Sequence, residues 1–99
     1  MNQGSVRVVA KIEALPGKAE VVREILGKLI EPTRKEAGCI TYELWQNRAN
    51  ETDFTFVEVW GSEAALDTHA ASQHLKDVAA ELQGLVARPT DVRRYDLIY

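Results

Sequence analysis

Cysteine is almost missing from this chain: Cys39 stands alone. One thiol closes no internal disulfide and, with no second cysteine, builds no zinc knuckle, so neither staples nor a Cys-rich metal site is expected to hold the fold. Its simplest role is that of a small apolar residue at the start of a strand. Long hydrophobic runs are missing too. No segment approaches the roughly 20 apolar residues of a membrane span, and Met1 to Ser5 lacks a basic region followed by an apolar core; a soluble, cytoplasmic protein is the expectation. Positive charge is not in excess. Twelve Lys and Arg against 15 Asp and Glu leave a net charge of −3, and the basic residues are scattered, which argues against a nucleic-acid partner. Gly17, Gly27, Gly38, Gly61 and Gly84 sit singly at turns or within helices, so there is no Gly-rich phosphate loop and no flavin or nicotinamide fingerprint. By elimination no cofactor is expected.

What is present is a chain of 99 residues with 45% hydrophobic content, enough for one domain over 1–99 but small enough to gain stability from oligomerisation. Val6 to Ala14 alternates with a period of two, as a strand does. Pro16-Gly17 ends it in a turn. Lys18 to Ala37 then carries Val22, Ile25, Leu26, Leu29, Ile30 and Thr33 at helical spacing. Pro32 predicts a kink or early end near Ile30 or Glu31, and Gly38 suits the left-handed residue after a helix. Cys39 to Gln46 alternates again, with Ile40, Tyr42 and Leu44 on one face. After the polar turn Asn47 to Thr52 a further strand runs from Phe54 through Trp60. Ser62 is the expected cap of the next helix, Ser72 that of a second helical piece ending near Gly84, and the tail Thr90 to Tyr99 reads as a last strand. Strand, helix, strand, strand, helix pair, strand is the split β-α-β order of an α+β, ferredoxin-like domain with an antiparallel sheet. The second sheet face, with Val9, Trp45, Val57, Val59 and part of the last strand, is too apolar for water, and a face-to-face homodimer is expected.

Histidine is scarce, and both copies lie close together: His69 and His74 are the chain's whole supply of side chains that titrate near neutral pH without perturbation. Five residues on a continuous helix would set the rings roughly 140° apart. A break near Ala71 and Ser72 would let both aim at one cavity. His69 reads as a general base or as a cap of its short helix; His74, in a first turn where the dipole disfavours imidazolium, reads as a neutral base or a surface residue. On the preceding strand, Phe54, Phe56, Glu58 and Trp60 share a face. Glu58 among aromatics is a base, an acid, an orienter of imidazole, or a structural partner of Arg94. Trp60 is a candidate wall for a flat aromatic substrate, with core packing its plainer role, and Tyr42 is either a hydrogen-bond donor to substrate oxygen or a core residue. His69, His74 and Glu58 together form a conceivable metal-ligand set, but on no recognised spacing, so no metal is expected.

The runs E-A-G-C-I-T-Y-E-L at Glu36 to Leu44 and F-T-F-V-E-V-W-G-S-E-A-A-L-D-T-H-A-A-S-Q-H-L at Phe54 to Leu75 resemble the antibiotic biosynthesis monooxygenase domain family. The shared signature is matched by Glu58, Trp60, Ser62, His69, Ser72, His74 and Leu75. The resemblance implies a dimeric α+β barrel with a pocket between sheet and helices. It further implies reaction of a deprotonated quinol-like or polycyclic phenolic substrate with dioxygen, without flavin or metal, in a pocket where His69 or His74 is the base, Tyr42 the oxyanion donor and Phe56 with Trp60 the dry aromatic walls. Similar domains include isomerases, haem-degrading enzymes and members without known activity. Two other readings therefore stand beside the monooxygenase: an isomerase of a small hydroxy-carbonyl compound and a non-catalytic dimeric ligand-binding or stress-response module. The haem-degrading branch fits poorly, because Ala79 stands where its members resemble this stretch but carry a histidine ligand, and His69 where they carry tryptophan.

Overall fold

A computed structural model describes residues 4–99. In chain order the elements are β1 (Val6–Glu13), α1 (Ala19–Gly27), α2 (Ile30–Arg34), β2 (Cys39–Gln46), β3 (Asp53–Trp60), α3 (Glu63–Ala70), α4 (Gln73–Glu81) and β4 (Asp91–Tyr95). The four strands form one sheet in the order β2-β3-β1-β4, with every neighbouring pair antiparallel. This is the α+β arrangement that the alternation and helix spacing predict.

The inner face follows from the strand period. Val6, Val8, Ala10 and Ile12 of β1 are buried, as are Phe54, Phe56, Glu58 and Trp60 of β3. Against them pack Val22, Ile25, Leu26 and Leu29 from the first helical region, Leu66 from α3, and Val78 and Leu82 from the α4 region. On the other face Val9, Val57 and Val59 stay half-exposed and Trp45 is 58% exposed. The register sets Glu58 across from Val8 on one side and Tyr42 on the other, which places its carboxyl in the middle of the buried face.

Three local departures have physical causes. The predicted single helix from Lys18 to Ala37 is two helices. It breaks at Lys28 and Leu29, ahead of Pro32, where the two N–H groups bond carbonyls three residues back at 3.1 Å each. Pro32 then falls in the first turn of α2, where the missing N–H costs no hydrogen bond. In β2, Cys39 pairs with Trp60 and Thr41 with Val59, so Ile40 is the extra residue of a bulge. It therefore turns outward, 59% exposed, instead of sharing the face of Tyr42 and Leu44. The last strand is shorter than Thr90 to Tyr99, because β4 pairs only with Arg7 to Lys11 of β1, and Leu97, Ile98 and Tyr99 lie exposed beyond it.

Gly38 takes the left-handed backbone expected of it, with φ of 86°. It also allows a close approach, since a Cβ there would stand 2.5 Å from that of Ala65 in α3. Its carbonyl accepts from Gly61 N at 2.7 Å, so the α2–β2 connection is pinned to the end of β3. No helix among the described residues is long and apolar enough to cross a membrane.

Candidate functional site

The site is assembled at the joint between α3 and α4. Ser62 caps α3 as expected, its Oγ accepting from Ala65 N at 3.0 Å. Leu66 and His69, three residues apart, form the buried face of this helix. The chain breaks at Ala71 and Ser72 and α4 starts afresh, so His74 lies in a new first turn. Ser72 holds the N-cap position with extended backbone, yet its hydroxyl is buried and makes no hydrogen bond; the backbone, not the predicted side-chain cap, makes this joint. The break brings the two rings to a centroid separation of 6.1 Å.

They converge on Glu36, not on Glu58. Nδ1 of His69 lies 2.7 Å from Glu36 Oε2 and Nε2 of His74 lies 2.8 Å from the same oxygen. A carboxylate oxygen only accepts, so each ring donates an N–H, and in their neutral forms the two rings stand in opposite tautomers. For His69 this leaves Nε2 with the lone pair, and among the described residues nothing hydrogen-bonds it. Side-chain exposure climbs along the chain of contacts, from 5% at His69 through 15% at Glu36 to 26% at His74. The arrangement runs from interior to surface. Glu36 reaches it from the connection after α2, which is anchored where Arg34 donates from Nε and Nη2 to the Tyr42 carbonyl at 3.1 and 2.9 Å.

In front of His69 is a cavity of about 330 Å³, at the lower end of the roughly 300–1,000 Å³ of small-molecule sites. Tyr42, Phe56, Glu58 and His69 line its inner end, with Leu26, Leu29, Leu66 and Val78 among its apolar walls. Val92 and Arg94 reach it from β4, opposite Ala10 and Val8. Trp60 is not among the lining residues. It is fully buried behind His69, with ring centroids 4.6 Å apart, and Tyr42 meets the same imidazole edge-on at 5.6 Å. His74 lies outside the cavity as well.

Glu58 is 4% exposed and accepts from the Trp60 indole N–H at 2.9 Å. Burial pushes its carboxyl above the usual carboxylate range and the Glu36 charge adds to this, while the indole bond and His69 pull the other way. It is not paired with Arg94, whose guanidinium bonds Glu63 and Asp67 on α3. The Tyr42 hydroxyl is likewise pushed well up, by burial first and the Glu58 charge second, so it remains a donor. Burial also raises the Cys39 thiol, with Glu36 and Glu58 adding to it against Arg34, which suits a packing residue rather than a nucleophile. Glu36, His69 and His74 each offer one ligand atom, and these atoms all lie within 4.8 Å of one another. Of the metal set conceivable from the sequence, the histidines are in place and the carboxylate is a different one.

Glu36 is thus the residue that site reasoning from sequence misses, though it opens the run that carries the family resemblance. One signal marks it: an acidic residue just beyond a helix C-terminus faces an unfavourable dipole and calls for a partner elsewhere.

A small α+β domain whose sheet and helices enclose an apolar cavity, with an imidazole and a buried carboxyl inside, is the class defined by this geometry. A family model described as antibiotic biosynthesis monooxygenase matches residues 5–81, and the chain belongs to that family. It is similar to Rv0793 of Mycobacterium tuberculosis, whose name carries a provisional monooxygenase designation. The two are 33% identical over 87 residues, spanning 88% of this chain and 85% of that protein. The crystal structure of PA3566 from Pseudomonas aeruginosa superimposes with a TM-score of 0.91 at 28% identity, covering 100% of this chain and 99% of the other. An uncharacterized protein of Synechocystis sp. is 31% identical over 90 residues, 91% of this chain; the match spans 61% of the Synechocystis protein's length.

Proposed function

We propose that this protein is a cofactor-independent monooxygenase of a quinol-like or polycyclic aromatic substrate, cytoplasmic and active as a homodimer. The observation that carries the reading is the Glu36-held imidazole of His69 against an apolar cavity. A phenolic or enolisable substrate seated beside Phe56 gives its proton to Nε2 of His69, and Glu36 steadies the imidazolium that forms. Tyr42 and the protonated form of Glu58 donate hydrogen bonds to the oxyanion. Apolar walls keep water from the electron-rich carbanion while dioxygen attacks it. For a ring methylene, one oxygen atom ends as the carbonyl and the other leaves with the two methylene hydrogens as water. All the electrons come from the substrate, so no reductant is needed. The half-exposed valines of the outer sheet face, with Trp45 beside them, support the dimer.

A second reading is favoured by one observation, the acid-leaning Glu58 sharing the cavity with a base. A carboxyl held toward its neutral form and an imidazole facing the same cavity can serve as the acid and base of an enolisation, so an isomerase of a small hydroxy-carbonyl compound uses the same pair. Purified protein incubated with quinols and anthrones in an oxygen electrode separates the two. Oxygen uptake that disappears in His69→Ala is the expected result; uptake equal in both proteins overturns the monooxygenase, and turnover that persists without oxygen selects the isomerase.

A further inference from the structure

We infer that Glu36, His69 and His74 form a zinc site behind the cavity wall, and that zinc binding there switches the tautomer of His69. Three ligand atoms from three separate segments already converge. Two imidazole nitrogens and one carboxylate oxygen are a donor set that suits zinc and disfavours calcium and magnesium, which prefer oxygen ligands. Bonds of about 2.0–2.2 Å hold tetrahedral ligands roughly 3.3 Å apart. The contacts of 2.7 and 2.8 Å therefore open by about half an ångström, while the two imidazole nitrogens, within 4.8 Å of each other, draw together toward the same spacing by side-chain rotation. The partial exposure of His74 and Glu36 gives the ion an entry path and leaves a position for water.

The ion does not sit in the cavity. His69 alone of the three lines that space, and it does so while its Nδ1 is turned to Glu36. Coordination through Nδ1 requires the lone pair there, so the proton now on Nδ1 moves to Nε2; His74 correspondingly moves its proton from Nε2 to Nδ1. Starting from neutral rings, this exchange releases no net proton. The cavity then meets an N–H where it met a lone pair, and Glu58, in the same cavity, is the carboxyl available to accept from it, the usual partner of a metal-bound imidazole. The regulatory meaning rests on the role of His69 as base in the preceding reading. The binding and the tautomer switch do not.

The test is calorimetric titration of the chelator-treated full chain with zinc chloride, followed by long-range ¹H–¹⁵N spectra of both imidazoles. One ion per chain is expected, with His69 passing from the Nδ1–H to the Nε2–H form. His74→Ala, a half-exposed position, and Glu36→Gln should each weaken binding at least about tenfold, with thermal unfolding used to verify that both fold. Zinc affinity equal in wild type and both variants, absence of binding, or an unchanged His69 tautomer at saturation overturns the inference. If zinc binds as stated and no oxygen uptake is found with any phenolic substrate, the site stands and the monooxygenase reading fails.

Discussion

Two carboxylates act on the same imidazole from different surroundings. Glu58 stands in mid-strand, flanked by Val8 and Tyr42 and bonded to an indole, with almost no access to water. Glu36 stands at the end of a short connection, partly open to solvent, and receives two imidazole N–H groups. The first is held toward its neutral, proton-donating form by desolvation. The second works as an acceptor that fixes ring orientation. Residue type alone therefore says little about role; what surrounds the carboxyl decides it.

The largest effect comes from removing what the two carboxylates share. His69→Ala should lower turnover at least about a hundredfold, the usual scale for a lost general base; an oxygen electrode reads this directly. Glu36→Gln keeps the shape but offers its amide in place of a carboxylate, and should cost about tenfold to a hundredfold in turnover. Glu58→Gln should instead show itself in stability against pH. A carboxyl whose folded value is raised binds more protons folded than unfolded. Its contribution is fully present below the ordinary value of 4.5 and is lost as pH rises through the folded value. Thermal melts from acid to neutral pH should show a shallower decline for Glu58→Gln than for wild type. An equal decline would place the neutral-leaning character of Glu58 in doubt.

Smaller effects sharpen how the two groups are positioned. Gly38→Ala should destabilise by about 1 kcal/mol or more, because the left-handed backbone and the closeness of Ala65 both oppose a side chain beside the connection that carries Glu36. Ser62→Ala should cost about 1 kcal/mol by loss of its cap bond. Ser72→Ala, whose hydroxyl bonds nothing, should cost close to zero. Denaturant melts compare all three.

Most of the fold was legible in the chain because β1, β2 and β3 each have one wet or half-wet face, and alternation records it, whereas β4, exposed throughout, was legible only from its residue types. The bulge at Ile40 was not, since one extra residue leaves the apolar pattern looking regular while reversing the side of everything before it. The helix break at Lys28 was only approximately legible: Pro32 signals an interruption, but proline is tolerated in a first turn and so marks the start of α2, not the end of α1. At the site, the convergence of the histidines was readable from Ser72 and the five-residue spacing, although the cap bond that suggested it is not made. Their meeting point was not readable. Glu36 is 33 and 38 residues away from the two rings, and only tertiary packing through Gly38 and Gly61 delivers it.

The central claim is that Glu36 holds the two imidazoles in opposite tautomers and leaves Nε2 of His69 free. Long-range ¹H–¹⁵N correlation spectra of metal-free protein, recorded where both rings are neutral, test this most directly. The account predicts the Nδ1–H form for His69 and the Nε2–H form for His74, with the His69 preference lost in Glu36→Gln. Finding both rings in the Nε2–H form, with Glu36→Gln unchanged, would contradict it.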